Sequence, residues 1–262
     1  MRLFRSLLSG SWRIVDETML SSSGLREFES TRWSLIGQAQ TGSVQGREAL
    51  QQLCESYWFP VYAFFRRGGN QAEDARDLTQ ELFTRMLSAD GFTCASSEKG
   101  RFRSYLLAAA KNLAAERNRN RRTKKRGGNV KTWSIDWSCA EQRLQWEPQD
   151  TMTAERVFEI RWAKQILSDT MAQLDALNSN AERKAYYLRL RTFIAFDGES
   201  IPYAQASLEL AVSESALRVQ VHRLRRKFRQ LLRQNVADTL CDTDTVDDEL
   251  NYLLQCVQGE RR

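Results

Sequence analysis

The chain has 262 residues, the length of about one to two domains. Apolar residues make up 42%, enough for real cores and too many for a wholly disordered polymer. Lys and Arg number 39 against 33 Asp and Glu, a formal net charge of +6. No run approaches the roughly 20 apolar residues of a membrane span, and Arg2, Arg5 and Arg13 break the start too often for a signal peptide. Five cysteines (Cys54, Cys94, Cys139, Cys241, Cys256) are odd in number, scattered and never in a C-x-x-C pair. With His222 as the one histidine, they argue against a disulfide framework and against a zinc site. No metal and no cofactor is expected, and a reducing cytoplasm fits best. Three prolines and few β-branched runs of period two predict an all-α fold.

Residues 1–30 are rich in Ser and Arg without a clean period and are expected to be a flexible extension, with Met19 as an alternative start. A helical block follows over 31–87, in which Pro60 is expected to begin or kink the segment 61–67. Gly68-Gly69-Asn70 reads as a turn. The next helix, 72–87, places Ala75, Leu78, Leu82 and Met86 on a buried stripe. Asp74, Asp77 and Glu81 fall on a neighbouring polar stripe. Residues 91–100 form a loop, and a long helix over 102–122 carries Leu106, Leu107, Ala110, Leu113 and Ala114 as its apolar face. Residues 127–150 read as a linker, although Trp133, Trp137 and Trp146 imply that it docks on something. Helices over 153–177 and 181–195 complete the middle of the chain, and Asp197-Gly198 ends the second.

Residues 201–232 have the layout of a helix-turn-helix. A short helix, 203–209, leads through Leu210-Ala211-Val212 to Ser213, a good N-cap for a second helix from Glu214. Ser207 and Ala211 are small where two helices cross closely. Leu210, Val212, Leu217, Val221 and Leu224 supply the core. The second helix then turns Ser215, Ala216, Arg218, Val219, Gln220, His222 and Arg223 outward near its start, the part that reaches base edges in a major groove. Arg225, Arg226, Lys227 and Arg229 behind them suit phosphate contacts.

The charge is partitioned. Residues 99–131 hold twelve basic residues against Glu116, or +11; residues 214–233 hold seven against Glu214, or +6. Residues 238–249 hold six acids and no base. Two basic islands over a hundred residues apart suggest two contacts with one polyanion. A solvated helix face is the plain alternative for either island.

At this point three segments resemble one family. Ala72-Glu73-Asp74-Ala75-Arg76-Asp77-Leu78-Thr79-Gln80-Glu81-Leu82-Phe83 looks like the core-binding helix of bacterial RNA polymerase sigma factors. Arg101-Phe102-Arg103-Ser104-Tyr105-Leu106-Leu107 through Lys111-Asn112-Leu113 and the Arg-rich run is similar to their −10 and melting region. Ser213-Glu214-Ser215-Ala216-Leu217 through Val221-His222-Arg223-Leu224-Arg225 resembles their −35-reading helix. Having only these two domains marks the extracytoplasmic-function (ECF) group. Thr31-Arg32-Trp33-Ser34-Leu35-Ile36 and Val246-Asp247-Asp248-Glu249-Leu250 resemble a planctomycete-type subgroup.

The resemblance implies a region 2-like helical bundle over 31–126, the linker over 127–150, a region 4-like helix-turn-helix domain over 151–236 and an acidic tail over 237–262. It places core-polymerase binding on Asp74, Asp77, Leu78, Gln80, Glu81 and Phe83. It places −10 binding and melting on Arg101, Phe102, Arg103, Tyr105, Lys111, Asn112, Arg117, Arg119, Arg121 and Arg122, with Phe102, Tyr105 and Asn112 as candidates to hold an unstacked base. The −35 set is Ser213, Ser215, Ala216, Arg218, Val219, Gln220, His222, Arg223, Arg226 and Lys227. The implied partners are core RNA polymerase and promoter DNA, with an anti-sigma factor or kinase-linked regulator as a further class and no membrane insertion. No catalysis is expected, since Asp74, Asp77 and Glu81 have no nucleophile, histidine or metal ligand beside them in sequence. The 24-residue linker spans at most about 80 Å, enough for promoter elements roughly 70 Å apart. The acidic tail is expected to be either a capping helix on the second domain or a regulatory one that covers the recognition helix or receives a partner when DNA is absent. The alternative function is an ordinary helix-turn-helix repressor or activator.

Overall fold

A computed structural model describes residues 44–87, 101–123, 137, 140–144, 152–180, 184–194, 201–240 and 245–259. The class is all-α. Among the described residues the helices are α1 (Val44–Arg67), α2 (Ala72–Leu87), α3 (Phe102–Thr123), α4 (Ala140–Leu144), α5 (Ala154–Leu177), α6 (Lys184–Arg191), α7 (Tyr203–Glu209), α8 (Glu214–Ala237) and α9 (Val246–Gly259). Contacts group the described residues into a unit within 44–168 and 234–259 and a unit within 169–233. The division differs from the sequence expectation in grouping the tail and the first turns of α5 with the α1–α3 bundle.

In the first unit α1, α2 and α3 pack on one another. The apolar stripe expected of α2 is buried at Ala75, Leu78, Leu82 and Met86, and α3 buries Phe102, Leu106, Ala110 and Leu113. Pro60 does not divide α1, which runs through it as one helix. An interior proline costs roughly 3 kcal/mol, but it lies in a continuously buried run from Phe59 to Phe65. Burying several aromatic and aliphatic side chains at about 1.5–3 kcal/mol each outweighs that cost. Beyond α1, Gly69 adopts φ +88°, and the Asn70 amide donates to the Phe65 carbonyl (2.8 Å), closing the turn before α2.

The expected linker contains docked structure. Trp137 meets Trp58 edge-on (5.0 Å between ring centres) and Tyr62 (5.4 Å). On α4, Glu141 accepts two hydrogen bonds from Arg66 (3.0 and 2.9 Å) and one from the Tyr62 hydroxyl. The Arg66 hydrogen bond holds the Glu141 carboxyl below the usual carboxylate range. Burial, followed by the Glu141 hydrogen bond, pushes the Tyr62 phenol up to about 12. The docking expected from the linker's tryptophans is seen at Trp137, and with Trp137 and α4 packed on α1 the full 24 residues are not available as an extended span. Trp133 and Trp146 lie outside the described residues.

The tail is likewise built into this unit. α9 buries Val246, Leu250, Leu253, Leu254 and Val257, and also Glu249, which is 1% exposed. Glu249 binds Arg103 through both carboxylate oxygens (2.9 and 3.2 Å) and Arg101 at 3.1 Å. Tyr252 lies under the Arg103 guanidinium, 4.2 Å from ring centre to charge. Burial opposes the charge of Arg103, yet the Glu249 hydrogen bond and charge outweigh it and raise its pKa. Arg101 also forms an isolated antiparallel bridge with Leu240, and the Phe102 amide donates to the Thr239 carbonyl (3.0 Å). These contacts make α9 a structural part of the bundle.

Glu249→Ala should destabilise the protein by about 3 kcal/mol, because it leaves the buried Arg103 guanidinium with only the longer ion pair to Glu159 (3.6 Å). Arg103→Met with Glu249→Leu should recover most of that loss in urea unfolding. Equal midpoints for Glu249→Ala and the parent would refute the clamp.

Candidate nucleic-acid interface

The second unit contains the helix-turn-helix. Leu190, Phe193, Ala206, Leu217 and Val221 form its core, with Tyr186, Tyr203, Leu210, Val212 and Leu224 packed around them. Asp175 accepts from the Tyr187 hydroxyl (2.5 Å) and from Arg191 Nε (2.8 Å), tying α6 to the end of α5. The turn between α7 and α8 depends on Ala211, the one non-glycine among the described residues with positive φ (+52°). Ala211 is exposed, whereas Ala206 and Ser207 of α7 are buried. Ser213 caps α8, its Oγ accepting from the Ala216 amide at 3.2 Å.

All ten expected −35 residues, from Ser213 to Lys227, are exposed on α8 or at its cap. The face is spaced by the core: Leu217, Val221 and Phe228 point inward and the ten point away. Arg218 leans aside, over the Tyr203 ring (4.6 Å) and towards Glu214 (3.3 Å). Of the basic residues behind them, Arg225 is half-buried and donates to the Phe193 carbonyl (3.1 Å). Arg229 donates to the Arg225 carbonyl, and burial with the neighbouring Arg225 and Arg226 charges lowers its pKa. Those two stabilise the unit, whereas Arg226 and Lys227 project outward. One feature escapes sequence reading: Asn178 and Tyr186 line a groove with Gln220, Arg223 and Lys227. The only signal for it was the helical spacing of the last three.

In the first unit, two expected contact sets are corrected. Leu78 (1% exposed) and Phe83 (0%) are core side chains, since both fill the interior between α1, α2 and α3. Asp77 is exposed, Gln80 half-buried, Asp74 is paired with Arg117 (3.5 Å) and Glu81 with Arg85 (2.5 Å). Arg85 also grips Glu116 through two hydrogen bonds (2.7 and 3.1 Å). On α3, Phe102 is fully buried against Tyr57 and Trp162, and Arg103 is buried on Glu249. Neither presents a surface to DNA. Tyr105 and Arg101 are half-buried, and Asn112, Lys111 and Arg119 are exposed, with Lys111 paired to Glu155 (2.9 Å). The side chains of Arg121 and Arg122, and the loop 91–100, lie outside the described residues.

Among the described residues no group of His, Cys, Asp and Glu is placed to hold a metal, and no helix is long and apolar enough to cross a membrane. Cys54 and Cys256 are buried free thiols. No family model, curated protein or solved structure matches this chain.

Phe102→Ala should cost about 3–5 kcal/mol of stability as a core truncation. Asn112→Ala and Arg119→Ala should stay within about 0.5 kcal/mol. Thermal denaturation separates the two classes. Ala211→Gly should stabilise the second unit by about 0.5–1 kcal/mol, relief of the left-handed strain exceeding the added unfolded-state entropy. A lowered melting temperature would contradict the strain.

Proposed function

We propose that this chain is an RNA polymerase sigma factor of the ECF type. It binds core polymerase, reads −35 and −10 promoter elements and opens the duplex without catalysis of its own. The observation that carries the reading is the helix-turn-helix of the second unit: a capped α8 with all ten expected contact residues on its exposed side. A helix presented in this way fits a major groove, with base-reading side chains in its first two turns and Arg226 and Lys227 on the backbone. Exposed Asn112 and Arg119 on α3 suit a second contact with the same polyanion. Asp77, exposed on α2, suits docking on a basic partner surface through charge, with Glu81 beside it already paired with Arg85.

A helix-turn-helix repressor or activator is the second reading, and one observation favours it. With Leu78 and Phe83 in the core, α2 offers a partner its charges but not the apolar anchors that usually dominate affinity.

Run-off transcription with purified core polymerase separates the readings. A promoter-specific product is expected, and its absence on every selected promoter would overturn the sigma assignment. Asp77→Lys with Glu81→Lys should abolish pull-down of core polymerase while helical content stays intact; persistent pull-down would move the docking face elsewhere. Gln220→Ala and Arg223→Ala should each cost about 1–3 kcal/mol of −35 discrimination, whereas Arg218→Ala, whose guanidinium rests on Tyr203, should cost less.

A further inference from the structure

The exposed side of α8 has an apolar centre. At about 100° per residue, the buried positions Leu217, Val221 and Phe228 define the inner side of the helix. Val219 falls opposite them and is 51% exposed. Ser215, Arg223 and Arg226 surround it, and Ala216, also exposed, lies one turn earlier beside it. A valine gains nothing there on its own account. It is a weaker helix former than the Lys, Arg or Gln found around it, and its apolar surface stays in water. The fold does not require it either, because the core of the unit is completed on the other side of the helix.

The surroundings identify what would cover this patch. Arg223, Arg226 and Lys227 attract phosphates and disfavour an apolar protein surface. Within a major groove, the one apolar group on any base edge is the 5-methyl of thymine, and small aliphatic side chains meet it. We propose that Val219, with Ala216 beside it, reads the 5-methyl group of a thymine in the duplex that α8 enters, and so sets specificity at that base pair. The inference rests on the DNA-reading role of α8 proposed above, but not on polymerase binding. Gln220 and Arg223 then read neighbouring base edges by hydrogen bonding, while Val219 supplies discrimination through a contact that no hydrogen-bond donor can make.

The test uses the full chain, alone and with core polymerase, to select duplexes from a random library. Each thymine of the preferred −35 site is then replaced by uracil, which removes the methyl and keeps every hydrogen-bonding group. One thymine-to-uracil change is expected to weaken binding about four-fold, the value of one buried methyl group. In Val219→Ala the penalty at that position should shrink to below about two-fold, while Val219→Thr, which keeps one methyl, should fall between. Both variants should melt with the parent, since Val219 is outside the core. The proposal is overturned if no uracil substitution matters, if the penalty is unchanged in Val219→Ala, or if neither form of the protein enriches any duplex. A thymine effect without run-off product would instead overturn the sigma assignment and leave methyl reading intact.

Discussion

The bundle of the first unit is organised around one buried carboxylate. Glu249 lies 146 residues along the chain from Arg103, and both are almost fully removed from water. Burying either charge alone costs several kcal/mol, so the pair is tolerable only with its geometry complete. Completion takes several parts at once: two oxygens on Arg103, a second guanidinium from Arg101, and the Tyr252 ring. Each part fixes an element. Arg101 and Arg103 bracket the first turn of α3, Tyr252 and Glu249 fix the face of α9, and Thr239 receives the Phe102 amide between them. With that turn held under α9, Phe102 has nowhere to point but the Tyr57–Trp162 stack. The burial of a residue expected to face DNA thus follows from where one glutamate is placed.

Local chemistry was legible in the sequence wherever a segment's own residues decide its structure. The limits of α2 and α7, the start of α3, the Ser213 cap and the outward face of α8 all follow from apolar spacing and capping. That spacing also gave the buried stripe of α2 correctly, yet it missed Phe83, because the stripe of a helix packed on two neighbours is wider than one row. Pro60 illustrates a related limit: a breaker signal is local, whereas the burial that carries α1 through it as one helix is tertiary. The docking of Trp137 and α4 on α1 depends on Glu141 meeting Arg66 and Tyr62 across nearly eighty positions. The tryptophans signal in the sequence that the segment docks, but no window on the chain says which helix it meets. The tail shows the same limit, since its six acids and the apolar positions after them suggest a capping or regulatory helix without saying which unit it packs on. One of the six is instead the most deeply buried charge described in the bundle.

Charge counted along the chain and charge available at a surface are different quantities, and the two basic islands separate them. From Arg101 to Arg117, at the start and along α3, Arg101 and Arg103 share Glu249, Lys111 faces Glu155, and Arg117 faces Asp74. Opposite charges a few ångströms apart cancel at distances beyond a Debye length of about 8–10 Å. The described start of that island therefore contributes little to the field that draws a polyanion. On α8 the balance is different: Glu214 is the one acid in the island, and it already faces Arg218. Arg223, Arg226 and Lys227 keep their charge on the exposed side that also carries Val219. Attraction to phosphate and reading of base edges are thus combined on α8, whereas the opening turns of α3 have exchanged attraction for stability.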